Sequence, residues 1–333
     1  MVQSAVVHDD FVIPTAKAIL DGFQTAGFIY LQNIPMSPAE RQHIFETSAK
    51  YFRLPMTEKL KHSMLSVHSN KGYSAKGQEK LGEESPDIKE TLHFGRENDP
   101  QYENIWPEES GELVSFKEDI LRFYGFCSGL ADKLMRAIAL GLGIEEGYFN
   151  RFMTFGDHKL RLLHYPEVSK EVFKMNNSQV RAGAHTDYGA ITLLFQDCRG
   201  GLQVKTPSGE FLDAAPIENA VIVNAGDLLA RWSNDVFKST VHRVVEPPIS
   251  QGGDSYPARY SIAFFANPNE KAYIDAIPGT FVTESDKKYK GTTSGEYYIE
   301  RLRATCLRTS VENQPINLEP SVGFHSGFRN DPL

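Results

Sequence analysis

The chain has 333 residues, enough for one large domain or two smaller ones, and 41% of them are hydrophobic, so it can bury a sizeable core. Charged residues make up 23% and the net charge is −8, without a dense block of lysine and arginine. This composition excludes wholesale disorder and disfavours nucleic acid or an anionic membrane as a partner. The sequence has no apolar run of membrane-spanning length, and we expect no secretory signal at its N-terminus.

The three cysteines, Cys127, Cys198 and Cys306, are far apart and odd in number, so they predict no disulfide framework. Unpaired cysteines fit a reducing compartment, and we expect a cytoplasmic protein. The expected state of assembly is a monomer or a weak oligomer.

The N-terminal half is predicted to be mostly helical. Thr15 is the expected cap of the first helix and Gly27 its stop, while Ser37 and Glu40 form a capping box at the second. In chain order the predicted elements are a helix over 14–26, a strand over 28–31, a helix from 37 to about 52, an irregular loop over 66–88, a strand over 90–95, a loop over 96–113, a long helix over 113–142 and a short helix over 145–152.

From about residue 159 the pattern changes to short β-rich runs separated by Gly, Pro, Asn and Asp, which is typical of a sandwich or barrel. These runs are 160–165, 179–184, 190–195, 201–205, 210–213, 220–224, 239–245 and 259–265, and a helix follows over 294–306. We therefore predict one α+β domain with a mainly β core. Its parts are a mostly helical part over 1–158, the core over 159–270, a loop and helix over 271–306 and a flexible tail over 307–333.

Two pairs of polar residues within the β-rich half have the spacing of side chains that share one face of a strand. His185 and Asp187 are two residues apart, so an imidazole and a carboxylate can face one point. With a distant His242 they complete a set of two histidines and one carboxylate, the signature of non-haem Fe(II) oxygenases. Arg259 and Ser261 likewise share a face, so a guanidinium and a hydroxyl can grip one carboxylate.

The order of these motifs resembles the Fe(II)/2-oxoglutarate-dependent dioxygenases, in the group of isopenicillin N synthase and the plant flavonoid and gibberellin oxidases. The similarity covers about residues 15–306 and is strongest to fungal members that hydroxylate thymine. It is carried by HxD, a distant His, RxS and the runs LRLLHYP, HTDYGAITLLFQD, RGGLQVK, VNAGDLLARWSND and KSTVHRVVEPP. The resemblance implies a double-stranded β-helix (jelly-roll) core, with flanking helices from the N-terminal half and a C-terminal helix.

The resemblance also implies a set of residue roles. Fe(II) is expected on the catalytic residues His185, Asp187 and His242, with 2-oxoglutarate and O2 as cosubstrates. Arg259 and Ser261, helped by Tyr165, are expected to hold the distal carboxylate of 2-oxoglutarate. Turnover would hydroxylate a C–H bond of a small molecule and release succinate and CO2.

A flat, carbonyl-bearing substrate suits the remaining candidates. Tyr188 and Phe265 are placed to sandwich a planar ring, and Arg161 to donate hydrogen bonds to a ring carbonyl. The expected substrate is thymine or a related pyrimidine, with the methyl group as the target. Two alternatives stay open: the same chemistry on a fungal secondary metabolite, and a non-catalytic jelly-roll that binds a small ligand.

Each role has a plainer alternative. The two histidines can be structural, and Arg259 can belong to a structural ion pair or grip a substrate carboxylate, as it does in some relatives. Tyr188 and Phe265 can be core aromatics, and Arg161 a salt-bridging arginine.

The chain departs from the family pattern at two places. Residues 12–14 run directly into the first helix, so we expect a shortened first strand. Leu163 stands where many relatives have Asn, so Asn224 is the candidate to supply the missing hydrogen bond to the metal-bound end of the 2-oxo acid.

Overall fold

A computed structural model of the chain describes residues 3–6, 12–65, 69–78, 86–175, 179–246 and 254–309. The helices are α1 Val12–Thr25, α2 Pro38–Phe52, α3 Met56–Lys59, α4 Phe116–Gly141, α5 Glu171–Met175, α6 Asp227–Trp232 and α7 Ser294–Thr309. The strands are β1 Gln3–Val6, β2 Phe28–Gln32, β3 Gly72–Ser74, β4 Glu90–Phe94, β5 Lys159–Tyr165, β6 Val168–Ser169, β7 Ala182–His185, β8 Ile191–Gln196, β9 Leu202–Lys205, β10 Phe211–Asp213, β11 Val221–Ala225, β12 His242–Val244, β13 Ser255–Tyr256, β14 Arg259–Ala266, β15 Tyr273–Ile274 and β16 Thr292–Thr293. Among the described helices, none is long and apolar enough to cross a membrane.

Two sheets form the core. The large sheet has eight strands in the order β1-β2-β11-β8-β14-β5-β4-β3, and the small sheet has four in the order β10-β9-β12-β7. Neighbours far apart in sequence, such as β11 beside β8 and β14 beside β5, pair antiparallel. Apolar side chains of both sheets meet in one buried cluster, which includes Tyr30 and Ile222 from the large sheet and Val204 and Val244 from the small one. The predicted jelly-roll core with flanking helices is confirmed.

The other face of the large sheet packs against helices. Alternate residues of a strand point to opposite faces, so Ile262 and Phe264 of β14 face away from the small sheet. They join a larger apolar cluster with residues of α1, α2 and α4, and in it the rings of Phe123 and Phe195 lie 5.0 Å apart in an edge-to-face contact. Because this cluster joins the N-terminal helices to the sheet, it supports our proposal of a single domain.

Two predicted helix boundaries are confirmed by their hydrogen bonds. Ser37 accepts a bond from the Glu40 amide at 3.2 Å, and its own amide donates to the Glu40 carboxylate at 2.7 Å, which completes the capping box of α2. Gly27 follows α1 with φ of 70°, a left-handed conformation that favours glycine. A Cβ at Gly27 would also collide with the carbonyl of Lys238. Only glycine therefore fits this end of α1.

The structure corrects several boundaries. Because α1 begins at Val12, Thr15 lies inside it and is not its cap. The first strand is present as β1, whose four residues pair in parallel with β2. The predicted loop over 66–88 contains β3, a buried edge strand of the large sheet; within that loop, residues 66–68 and 79–85 lie outside the described residues. The short helix expected over 145–152 is reduced to a single 3-10 turn at Asn150–Phe152.

The start of α4 and the end of α7 also differ from the prediction. α4 begins at Phe116 rather than 113, because Ser115 before it has a left-handed φ of 67°. α7 continues to Thr309, three residues beyond its predicted end. The tail expected over 307–333 therefore starts inside a helix, and its remainder, 310–333, lies outside the described residues.

A buried polar network attaches α3 to the large sheet. Lys59 donates to the Glu90 carboxylate at 2.7 Å, and both side chains are more than nine-tenths buried. Tyr73 donates to the same carboxylate, and the His164 ring nitrogen lies 2.7 Å from it. Burial raises the pKa of Glu90, but the hydrogen bonds from His164, Lys59 and Tyr73 outweigh burial and leave the pKa lowered. The carboxylate is therefore held ionised inside the protein.

We expect Lys59→Met to lower the free energy of unfolding by about 3–5 kcal/mol, because Glu90 would keep a buried negative charge without its cationic partner. The matched control is Lys61→Met, which removes the exposed Lys61–Glu58 pair and should cost less than about 1 kcal/mol. Urea denaturation of the three proteins measures the difference. Equal, small losses for both variants would contradict a stabilising role for the network.

Candidate active site

Three side chains with metal-ligand chemistry converge between the two sheets. His185 ends β7, His242 begins β12, and the antiparallel register places the two residues directly opposite each other. Asp187 follows β7, and its Oδ1 lies 3.9 Å from Nε2 of His185 and 3.8 Å from Nε2 of His242. Both distances are shorter than two metal–ligand bonds of about 2.1 Å, and the ligand atoms of the three residues all lie within 4.8 Å of one another, so they can converge on one ion. In the part of the chain that the structure describes, these three are the His, Cys, Asp and Glu side chains that lie close enough to hold a metal ion together.

The hydrogen bonds of the two imidazoles fix which nitrogen faces the centre. Nδ1 of His185 lies 2.7 Å from the Gly183 carbonyl, and Nδ1 of His242 lies 3.1 Å from the Thr240 carbonyl. A carbonyl oxygen only accepts, so each Nδ1 carries a proton, and in the neutral form of each ring Nε2 keeps its lone pair. Both rings therefore present a metal-binding nitrogen, held by the kind of backbone contact that orients metal-ligating histidines.

The carboxylate of Asp187 is held from its other side. Its Oδ2 accepts from the Thr192 hydroxyl at 2.6 Å and from the Asn224 amide at 2.7 Å, which leaves Oδ1 toward the histidines. The backbone is fixed as well, because the amide of Asp227 donates to the Asp187 carbonyl at 2.7 Å. A Cβ at Gly226 would collide with the Gly189 carbonyl, so this close approach requires glycine.

Burial and charge set the protonation of the cluster in the absence of a metal. Burial, followed by the neighbouring His242, lowers the pKa of His185 to about 3. Burial raises the pKa of Asp187, but His242, His185 and the bonds from Asn224 and Thr192 outweigh it, so the pKa is lowered. At neutral pH His185 is neutral and Asp187 ionised, which are the forms that bind a metal ion.

A buried guanidinium lies on the inner face of the large sheet. Arg259 is 1% exposed; its Nε donates to the Gly200 carbonyl at 2.9 Å and its Nη2 to the Gln196 side-chain oxygen at 3.1 Å. Its Nη1 lies 3.2 Å from the Ser261 hydroxyl, and the guanidinium stacks 4.8 Å from the centre of the Tyr165 ring. These hydrogen bonds go to neutral oxygens, so the positive charge is available to an anionic ligand.

Two of the three candidates for substrate binding, Arg161 and Phe265, lie on strands of the large sheet. Phe265 pairs in register with Thr192, the residue that holds Asp187. The guanidinium of Arg161 lies 5.4 Å from the centre of the Phe265 ring. Tyr188 directly follows the metal-binding turn and packs against α7, where Arg301 stacks 4.9 Å from the centre of its ring. The structure thus brings Arg161 and Phe265 together on the sheet and places Tyr188 under α7.

The structure changes the account of Asn224 and adds residues that the sequence did not indicate. The amide of Asn224 is bound to Asp187, so we propose that it positions this ligand rather than the 2-oxo acid. Thr192 was missed because it lies in an apolar run, although its spacing from Gln196 already places both on one face. Arg301 was missed because its contacts to Asp227 at 2.9 Å and to Thr186 at 3.4 Å link distant parts of the chain.

The chain resembles proteins of one family throughout most of its length. Residues 156–268 match the 2OG-Fe(II) oxygenase superfamily, and residues 9–109 match the N-terminal region of non-haem dioxygenases in morphine synthesis. A proline hydroxylase, buaE, of Petromyces alliaceus is 34% identical over 84% of this chain and 89% of its own.

Solved structures of the thymine 7-hydroxylase of Neurospora crassa are also similar. The full-length enzyme in complex with alpha-ketoglutarate is 55% identical with a TM-score of 0.87, covering 91% of this chain and 96% of its own. The complex with alpha-ketoglutarate and thymine is 54% identical, also with a TM-score of 0.87, covering 91% and 97%.

We expect Thr192→Val to lower the affinity for Fe(II) or Mn(II) by about 10- to 100-fold, the usual effect of removing a residue that orients a metal ligand. Valine keeps the shape of threonine, so the variant removes one hydrogen bond to Asp187 without opening a cavity. The control is Thr57→Val, at an exposed position of α3. Anaerobic calorimetric titration of the metal gives both affinities, and an unchanged affinity in Thr192→Val would exclude this role.

Proposed function

Because the chain belongs to the 2OG-Fe(II) oxygenase superfamily, it is an Fe(II)- and 2-oxoglutarate-dependent oxygenase, and we propose that it hydroxylates the methyl group of thymine or of a related pyrimidine. The observation that carries the substrate proposal is the contact of Arg161 with Phe265 beside the residue that holds Asp187. This contact puts a hydrogen-bond donor next to an aromatic face. The likeness to the Neurospora crassa enzyme, solved with thymine, supports the same substrate.

We assign His185, Asp187 and His242 to the metal. Their donor set of two neutral imidazoles and one ionised carboxylate fits Fe(II) and leaves coordination positions open for other ligands. When Fe(II) and 2-oxoglutarate are bound, they activate O2: one oxygen atom enters the substrate as hydroxyl and the other enters succinate, with release of CO2. The part of this chain is to hold the three ligands in a fixed geometry.

Arg259, Ser261 and Tyr165 are assigned to the distal carboxylate of 2-oxoglutarate. The three side chains are at least 98% buried, and the guanidinium and hydroxyl lie close enough to bind one carboxylate together. Gln196 and the Gly200 carbonyl fix the guanidinium before any ligand arrives, which reduces the entropy lost on binding.

We propose that Phe265 and Tyr188 pack against the two faces of a planar substrate and that Arg161 donates a hydrogen bond to a ring carbonyl. A charged donor beside an aromatic ring suits a flat, uncharged molecule with carbonyl groups. Tyr188 is itself supported by Arg301 and by Tyr298, whose ring lies 6.3 Å away. The unpaired Cys127 and Cys198, together with an Fe(II) cofactor, support a cytoplasmic location.

The substrate is tested with the purified enzyme, Fe(II), 2-oxoglutarate and a panel of thymine, uracil, thymidine and L-proline. We expect thymine to increase the release of succinate and to gain one oxygen atom, as measured by mass spectrometry. Uracil lacks the methyl group and should give neither effect, and His185→Ala should abolish turnover with every compound. If proline is hydroxylated and thymine is not, the thymine proposal is wrong while the dioxygenase assignment stands.

We expect Arg161→Met to raise the KM for thymine by about 10- to 100-fold, because a hydrogen bond from a charged donor contributes about 1.5–3 kcal/mol. The KM for 2-oxoglutarate should stay close to the wild-type value, since Arg161 is assigned to the substrate alone. The exposed Arg199 provides the control, Arg199→Met. Steady-state kinetics with each ligand varied in turn measures both constants, and equal changes in the two would argue against a role specific to the substrate.

A further inference from the structure

Arg181 is a buried arginine to which the proposed function gives no role. It precedes β7 and is 0% exposed, and its backbone amide donates to the Val244 carbonyl at 2.9 Å. Its Nη2 donates to the Pro257 carbonyl at 3.0 Å. Its Nε and Nη1 are also buried, and neither has a hydrogen-bond partner among the residues that the structure describes. A buried donor without a partner is costly, so these two nitrogens call for an explanation.

The contacts of Arg181 place it at the same end of the core as Arg259. Pro257, whose carbonyl it binds, is two residues before Arg259. Val244, its backbone partner, pairs with Leu202 of β9. Two residues before Leu202 lies Gly200, whose carbonyl accepts the hydrogen bond from Nε of Arg259. Two buried guanidinium groups therefore lie at this end of the core, one beside the small sheet and one on the large sheet.

The charges at this end are unbalanced. Burial, followed by the positive charge of Arg259, lowers the pKa of Arg181 to about 10, so Arg181 stays protonated at neutral pH. Asp197 and Glu246 attract Arg181, but neither forms a hydrogen bond or an ion pair with it in the described part of the chain. Two buried like charges repel each other, and a bound anion would relieve that repulsion.

We propose that Arg181 is a second cationic residue of the 2-oxoglutarate subsite, and that with Arg259 it selects 2-oxo acids that carry a second carboxylate. The proposal rests on the assignment of Arg259 and Ser261 to 2-oxoglutarate. Arg259 and Ser261 supply the direct grip on the distal carboxylate, and Arg181 supplies further positive charge and the two unused donors. Replacing Arg181 should therefore weaken the binding of 2-oxo acids with a second carboxylate and leave the binding of those that end in a methyl group nearly unchanged.

The test compares the binding of 2-oxoglutarate and pyruvate, which share the metal-binding 2-oxo acid but differ in the second carboxylate. Each is titrated anaerobically into the Fe(II)-loaded protein, and the charge-transfer absorption reports its affinity. We expect Arg181→Met to weaken 2-oxoglutarate about 10- to 100-fold and to change pyruvate by less than about threefold. Arg181→Lys keeps the charge and should recover part of the lost affinity, and the exposed Arg199→Met is the control.

The outcomes separate this inference from the function on which it rests. If wild-type protein gives no absorption band with Fe(II) and 2-oxoglutarate, the assignment of the site itself fails. If the wild type binds both acids but Arg181→Met binds 2-oxoglutarate normally, or loses both acids equally, the role of Arg181 is refuted. If Arg181→Met does not fold, Arg181→Gln takes its place, because glutamine retains a planar donor for the Pro257 carbonyl. The same results would then support or refute the role of Arg181. A lysine variant no better than glutamine would also refute a role for the charge.

Discussion

The two-sided burial of the large sheet is the constraint on which the rest of the structure depends. Side chains alternate along each strand, so a shift of one residue would exchange the face under the helices with the face toward the small sheet. In β14 this alternation sends Ile262 and Phe264 into the helical cluster and Arg259, Ser261 and Phe265 to the inside. The register that fills the core is thus the register that assembles the site, and neither can change without the other.

This dependence explains how much the sequence could predict. Local spacing of two residues is enough to place Arg259 with Ser261 on one face, and the core, most strands and the metal-binding set follow from such patterns. Contacts between distant segments carry no local signal. Thr192 looks like part of an apolar run until its bond to Asp187 is seen, and the contact of Arg301 with Asp227 joins α7 to a remote turn. The edge strand β3 was missed because its three residues lie in a polar loop.

Charge is distributed unevenly along the inner face. At one end the carboxylate of Asp187 is ionised and faces the imidazoles of His185 and His242, which suits a cation. At the other end Arg259 and Arg181 are buried, and their hydrogen bonds go to neutral oxygens, which suits an anion. A molecule with a metal-binding group at one end and a carboxylate at the other matches both ends at once. The separation of charge therefore gives 2-oxoglutarate an orientation as well as an affinity.

The residues that we propose for substrate binding have different supports. Arg161 and Phe265 belong to the rigid sheet, whereas Tyr188 is held from outside by Arg301 and Tyr298 of α7. α7 is also linked to the metal-binding turn, because Arg301 contacts Thr186 and Asp227 as well as the ring of Tyr188. Changes in α7 would therefore reach both Tyr188 and the support of Asp187. The wall that we propose for the substrate therefore has two supports: Arg161 and Phe265 depend on the sheet, and Tyr188 depends on the C-terminal helix.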